Sequence, residues 1–347
     1  MKRIVGLDYL RIYTVFVVFL FHAWMHLGCT FGKLTTFVSE GAVLMTLFFM
    51  LSGYVLGLKY NKMSLEPIAL KKFYVKRLVS ILPLYVICAI LYPPPIFGTE
   101  DLIQNLLLFP IELMSMQAFF PSLMNISHNG GTWFVSCIIF CYMMFPLFMS
   151  IFSNISHRKL LLIYGFIMVL LLISPWIVYA FQATEIYSNP FIRFLEFVIG
   201  MILAIGNESL RRKRCYFWLS NKAIVFASYF AVIVIVMLLV KWQVPHVKYM
   251  SYSAILIPLF SCQLLAHTTI VRQSNNHLLK YFADISYAFF LMQLFTFKLT
   301  NMITQNLGIT DKVIAFLIAF SACLLFAMLG HRIIEQPIAI RFKNIKC

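Results

Sequence analysis

Long apolar runs separated by short polar connections make up nearly the whole chain. A helix crosses the hydrocarbon layer with about 20 mostly apolar residues. Ten segments approach that length, at about 8–29, 41–58, 78–93, 133–152, 160–181, 191–206, 223–241, 252–271, 282–303 and 313–334. A half-apolar stretch at about 102–120 carries Pro110, Glu112 and Gln117, and predicts an interfacial or re-entrant segment instead of an eleventh span. The pattern predicts an all-α polytopic integral membrane protein of about ten transmembrane helices. It forms one membrane domain over residues 1–347, with no appended soluble domain.

Composition removes the alternatives. Of 347 residues, 62% are hydrophobic and 12% charged, against roughly 45–50% and about 25% in soluble domains. A soluble globular enzyme, a disordered chain and a disulfide-stapled secreted module are all excluded. The net charge of +16 would suggest nucleic acid on a soluble protein, but no polar basic domain exists to hold a duplex. With a cytoplasmic N-terminus, 21 of the 28 Lys and Arg fall on the inner side and six on the outer, with Arg11 inside the first span. That asymmetry obeys the positive-inside rule and puts both termini in the cytoplasm. The first span carries Asp8, Arg11 and His22 and lacks an A-x-A site, so it is not a cleaved signal peptide. The eight cysteines, at 29, 88, 137, 141, 215, 262, 323 and 347, form no CxxC pair. They predict small buried hydrophobes, not a disulfide framework or a metal site.

Ionisable groups in membrane helices are expensive, roughly 2.5–3.5 kcal/mol on insertion scales, and mark candidate sites. The first span reads Gly6-Leu7-Asp8-Tyr9-Leu10-Arg11, with His22 eleven residues on and His26 after it. Eleven steps of about 100° place Arg11 and His22 on one helix face, about 16 Å apart along the axis. Asp8 lies one turn before Arg11 and can pair with it. A neutral imidazole is a good general base near neutral pH, and a guanidinium is a forked donor for phosphate. An anionic donor anchored at Arg11 would bring its reactive end to His22. A lone membrane histidine equally serves as a hydrogen-bonding partner for a neighbouring helix; the arginine on its face favours function. His26 is a helix-end residue by its position.

Other motifs follow along the chain. Phe48-Phe49-Met50-Leu51-Ser52-Gly53-Tyr54 ends the second span, Gly53 suiting close helix packing and Ser52 a cavity wall. Lys76 and Arg77 lie in Phe73-Tyr74-Val75-Lys76-Arg77-Leu78-Val79-Ser80, where they are either topology anchors or a phosphate grip. Trp133 suits an interfacial belt. Arg193 and Glu196 stand one turn apart and predict an ion pair. Glu335, in His331-Arg332-Ile333-Ile334-Glu335-Gln336-Pro337, can pair with Arg332 or face an incoming donor at the inner mouth.

Taken in order, these motifs resemble those of the membrane-bound acyltransferase-3 family, which includes bacterial O-antigen acetyltransferases. The resemblance rests on Leu7-Asp8-Tyr9-Leu10-Arg11 with His22, the Phe48–Tyr54 run, Phe73–Arg77 with Pro83 and Tyr85, and Trp133 with Tyr142 and Pro146. It continues through Arg193-Phe194-Leu195-Glu196-Phe197-Val198-Ile199-Gly200, Ile285-Ser286-Tyr287 and Glu335-Gln336-Pro337, from about residue 5 to 337. It implies transfer of an acyl group, usually acetyl, from cytoplasmic acyl-CoA to a sugar hydroxyl of a surface glycan such as O-antigen, in the bacterial inner membrane. Acetyl-CoA is then a co-substrate, with no tightly bound cofactor, and the acceptor is lipid-linked or exported glycan.

Carried over by position, the resemblance makes His22 the catalytic histidine. Arg11 and Arg77, with Lys76, become donor-site residues, and Asp8, Ser52, Trp133 and Glu335 become supporting positions. Three places depart from the family pattern. Ser80 stands where a second arginine is frequent, Ile138 where a glutamate is common and Gln293 where a histidine often follows the Ser-Tyr motif. The rival from another class is a transporter or flippase of lipid-linked glycan, for which paired repeats are expected and none is found. A glycan polymerase would favour an outer loop rich in Arg or His, whereas 93–132 has no Lys or Arg and one histidine, His128.

Overall fold

Polar caps set the helix ends in a chain that is otherwise apolar. In the computed structural model the described residues are 3–61, 63–91, 102–120, 130–181, 186–211, 221–244, 250–270 and 276–343. Lys2, Lys62, Arg212, Lys213, Arg214, Lys248, Arg272 and Lys346 fall outside them, as do Cys215, Cys347, Pro93-Pro94-Pro95, Glu100, Asp101 and His128. The helices are α1 Val5–Leu27, α2 Leu44–Lys59, α3 Pro67–Val79, α4 Leu82–Leu91, α5 Leu102–Leu113 and α6 Trp133–Ser153. They continue with α7 His157–Ala180, α8 Pro190–Arg211, α9 Lys222–Lys241, α10 Met250–Ile270, α11 His277–Asn306, α12 Lys312–Gly330 and α13 Gln336–Lys343. Pro67 takes the first helical turn of α3, where its missing N–H is harmless. Asn221, Asn276 and Asp311 accept backbone N–H groups at the starts of α9, α11 and α12. Gly28, at φ 67°, closes α1 in the left-handed conformation.

The protein is an all-α polytopic membrane protein. Among the described residues nine helices are long and apolar enough to cross a bilayer, and Tyr252–Thr268 is a shorter apolar tenth at the predicted 252–271. Two spans differ in form from the sequence pattern. The expected 78–93 segment is one half of a longer span, Pro67–Ile90, broken at Ser80–Ile81 between α3 and α4. Pro83 cannot donate to the Val79 carbonyl and its ring crowds the preceding turn, so the helix restarts there. The last span runs on to Phe342 through one wide turn of π type at His331–Glu335. Residues 102–120 fold as α5 and a short turn at Gln117–Phe119, not as a long span. Ser136 Oγ donates to Gln117 Oε1 at 3.0 Å, and Gln117 Nε2 to Thr132 Oγ1 at 2.9 Å, so this segment is pinned to the start of α6.

Small residues let the central helices touch. A Cβ at Gly53 would lie inside the Phe197 carbonyl, and one at Gly200 inside that of Met50. α2 and α8 therefore pack backbone to backbone, as Gly53 predicts. α1 and α11 run side by side in the same direction. Arg3 bonds Asp284 and the Lys280 carbonyl at one end, and Asn301 Nδ2 donates to the His26 carbonyl at the other. Large apolar side chains of α7, among them Leu161, Leu162, Phe166 and Trp176, are exposed and so form a lipid-facing surface. Cys29, Cys88, Cys137, Cys141 and Cys323 are buried thiols, and Cys262 is exposed.

Arg193 and Glu196 hold the centre. Arg193 is 0% exposed and Glu196 1%, and Nη1 lies 3.0 and 2.9 Å from the two carboxylate oxygens. Thr46 Oγ1 donates to Glu196 Oε1 at 2.8 Å, and Arg193 Nε donates to the Tyr187 carbonyl at 2.7 Å. The guanidinium sits over the rings of Tyr187 at 4.5 Å, Trp133 at 5.4 Å and Phe49 at 5.7 Å. The predicted pair is present, but Arg193 belongs to the core instead of the loop charges. Trp133, 7% exposed, is a wall of this box and not a belt residue. Burial is favoured because its ring face is a better partner for a desolvated cation than headgroups would be.

Glu40 lies in the connection from α1 to α2, within electrostatic reach of Tyr252. Burial pushes the Glu40 carboxyl up from an ordinary 4.5 to about 7. The fold thus favours the protonated form. That contribution is complete below about 4.5 and is lost as pH rises through about 7. Glu40→Gln is expected to be more stable than the parent at pH 8, by on the order of 1 kcal/mol after solvent screening, and equal to it at pH 4. Thermal unfolding in detergent at the two pH values measures this; an equal advantage at both would refute the shift.

Candidate active site

The break between α3 and α4 opens a cavity of about 340 Å³ at the end of the bundle where α1 begins. Arg11, Ser52, Tyr142, Asp284, Tyr287 and Glu335 are among its walls, contributed by α1, α2, α6, α11 and the wide turn after α12. Tyr287 donates its hydroxyl to the Ile81 carbonyl at 2.9 Å, covering a backbone group that the break exposes. Ser80 Oγ donates to the Arg77 carbonyl at 2.7 Å and lines the cavity. The residue at the family's second arginine position is thus a cap for α3.

Arg11 and Arg77 both act on Tyr142, and Arg77 is within hydrogen-bonding reach of its hydroxyl. Arg77 Nε is buried with no hydrogen-bond partner among the described residues, a costly state for a charged donor unless an anion completes it. Lys59, at the end of α2, is coupled to both Arg77 and Lys76, while Lys76 itself is exposed on α3. Lys59, Lys76 and Arg77 therefore lie close together, and Arg11 shares Tyr142 with Arg77. Lys59 joins this group only through folding; its sequence signal, a lysine closing an apolar run, is that of any topology anchor.

Two expected pairings are replaced. Asp8 bonds Arg3, Nε to Oδ2 at 2.6 Å, and not Arg11. Arg3 reaches forward to the first turns of α1 and also ties Asp284, at 2.9 Å, while Arg11 lines the cavity. Glu335 bonds His331 Nδ1 at 2.6 Å and not Arg332, because the wide turn aligns residues four apart. Asp8, 5% exposed, is a staple between α1 and α11. Trp133 lies in the Arg193 box, away from the cavity. Ser52, whose Oγ donates to the Phe48 carbonyl at 2.9 Å, and Glu335 do line it.

His22 stands on α1 beyond the cavity's far wall. Its Nδ1 is 2.8 Å from Gln293 Oε1, and its ring touches those of Phe21, His26 and Phe297. It is partly buried among helices. Phe48 and Phe134 form the cavity's wall on this side. Phe290 packs on both, with centroids 6.4 and 4.6 Å away. Gln293 follows Phe290 by one turn of α11, so one aromatic layer separates the cavity from the histidine.

A family model described as an acyltransferase domain matches residues 4–332. The chain belongs to the acyltransferase-3 family. No curated protein and no solved structure matches it. Membership makes the chain a membrane acyltransferase and supports an enzyme over the transporter or flippase. The match takes in the His22–Gln293 pair and the cavity-lining residues through His331.

Proposed function

We propose that this acyltransferase moves an acetyl group from cytoplasmic acetyl-CoA to a sugar hydroxyl of a surface glycan such as O-antigen, in the bacterial inner membrane with both termini inside. The observation that carries the reading is the buried Arg77 Nε, which has no hydrogen-bond partner among the described residues; Arg77 acts on Lys59 together with Lys76, and it shares the cavity-lining Tyr142 with Arg11. That grouping suits the phosphates of a nucleotide thioester, because clustered cations are stabilised by a polyanion. Acetyl-CoA is a co-substrate here, not a resident group.

The chemistry follows from His22. CoA phosphates rest on the arginine and lysine cluster, and the extended pantetheine arm passes the Phe48, Phe134 and Phe290 layer. His22 takes the proton from the sugar hydroxyl, presented from the opposite side on lipid-linked or exported glycan. The oxygen attacks the thioester carbonyl, a C–O bond forms and the C–S bond breaks. The imidazolium returns its proton to the CoA thiolate, so the products are the acetyl ester and the free thiol. An acyl-His22 intermediate obeys the same balance.

Membranes containing the protein, incubated with radiolabelled acetyl-CoA, are expected to place base-labile label on glycan. Label absent from glycan under conditions where the protein is folded overturns the reading. Arg77→Ala is expected to raise the KM for acetyl-CoA about 10–100-fold, the worth of one charge-assisted hydrogen bond of about 1.5–3 kcal/mol. The KM for acceptor is expected to change little. An unaltered acetyl-CoA dependence would make Arg77 a topology anchor.

A further inference from the structure

Gln293 is 0% exposed, an uncommon place for a carboxamide unless both ends are used. Its Nε2 lies 3.4 Å from the Val15 carbonyl and its Oε1 2.8 Å from His22 Nδ1. The two contacts fix each other. A carbonyl only accepts, so the amide nitrogen must face Val15, and the amide oxygen is left for the imidazole. That oxygen also only accepts, so the proton of neutral His22 resides on Nδ1. The other nitrogen, Nε2, keeps its lone pair.

The surroundings bear on how that lone pair holds a proton. His26, one turn further along α1, faces the ring at 5.8 Å between centroids, and Lys298 of α11 acts in turn on His26. Phe297 covers another side. No carboxylate among the described residues acts on His22. A carboxamide orients the ring and supplies no negative charge to retain an added proton. Acyl transfer asks for that: the proton taken from the sugar hydroxyl has to be returned to a departing thiolate. A carboxylate in the same place would bind the added proton more tightly.

We propose that Gln293 is the positioning residue of this acyltransferase, holding His22 as the Nδ1–H tautomer with Nε2 as the base and leaving that base free to give its proton back. The proposal rests on His22 acting in catalysis, so the test carries that variant alongside. The full-length enzyme in membranes is assayed for acetyl transfer across pH, with His22→Ala, Gln293→Leu and Gln293→Glu.

Gln293→Leu is expected to lose about 10–100-fold in kcat, the worth of one hydrogen bond to a group that becomes charged, with the acetyl-CoA KM unchanged. Gln293→Glu keeps the shape and adds a charge. Its acidic limb of kcat/KM is expected to move about 1–3 pH units upward, with a lower kcat at its plateau. An unmoved limb in Gln293→Glu, with His22→Ala inactive, means that Gln293 is structural only and overturns the proposal while the catalytic histidine stands. An active His22→Ala defeats the histidine itself. Should Gln293→Leu fail to fold, the limb position in Gln293→Glu decides alone.

Discussion

His22→Ala is expected to lower acetyl transfer by about 10²–10⁴-fold, the range typical for removing a general base, in a protein that still folds and inserts. The alanine also leaves Gln293 Oε1 without the donor it meets at 2.8 Å. An unsatisfied buried acceptor costs about 1–3 kcal/mol, so a lowered melting temperature accompanies the lost activity and would confuse the result. His22→Asn separates the two effects. Its amide N–H takes the place of Nδ1–H against Gln293, but it has no basic nitrogen. The asparagine variant restores the hydrogen bond and not the chemistry, so activity remains as low as in the alanine variant while the melting temperature recovers. Transfer assays and thermal unfolding on both proteins check this. An asparagine variant that transfers acetyl at the parent rate would end the role of His22 as base or acyl acceptor.

Arg193→Ala is expected to remove the folded protein. Breaking a buried pair costs about 3–5 kcal/mol because a charge is left alone. Here Glu196 loses the donor that meets both its oxygens, the Tyr187 carbonyl loses Nε, and the rings of Tyr187, Trp133 and Phe49 are left around a void. Domains are stable by only about 5–15 kcal/mol, so the loss is a large share of the total. Arg193→Met with Glu196→Leu is expected to recover much of it, since replacing both partners by apolar groups is often neutral. Size-exclusion profiles and melting temperatures of the two variants in detergent give the comparison. A soluble, monodisperse Arg193→Ala with the parent's melting temperature would show that the box is not a keystone.

The two variants differ in kind, and the structure explains why. Arg193, Glu196 and Trp133 lie in the packed centre and reach catalysis only by holding α2, α6 and α8 together. Arg11 lines the cavity, Arg77 keeps a buried donor without a partner among the described residues, and His22 lies one aromatic layer away. A supporting role for Trp133 is therefore exercised through the fold, and so is that of Asp8, which belongs to the Arg3 staple.

Much of the architecture was legible along the chain. Among the described residues the ten apolar runs correspond to nine long spans and the shorter Tyr252–Thr268, because insertion is a sum over consecutive residues, and backbone groups in lipid leave helix as the open-chain solution. The Arg193–Glu196 pair was legible too, being three residues apart on one helix, as was the close packing at Gly53. Partners chosen by a second helix were not. Asp8 turned to Arg3 instead of Arg11, and Glu335 to His331 instead of Arg332, since a short run of residues offers several partners at helical spacing. The break after Ser80 had a signal in Pro83, but hydropathy does not register a broken helix.

The order of residues alone is enough to establish a helical membrane protein with an arginine and a histidine on one face of its first helix. Helical periodicity and transfer into lipid are local properties, and both can be summed along the chain. Folding in three dimensions was needed to bring Lys59 to Arg77, to wall a buried cation with Trp133, and to set Gln293, 271 residues from His22, against its ring. Those choices depend on which helices lie side by side, and packing is settled by the shapes of surfaces that meet only once the chain has folded.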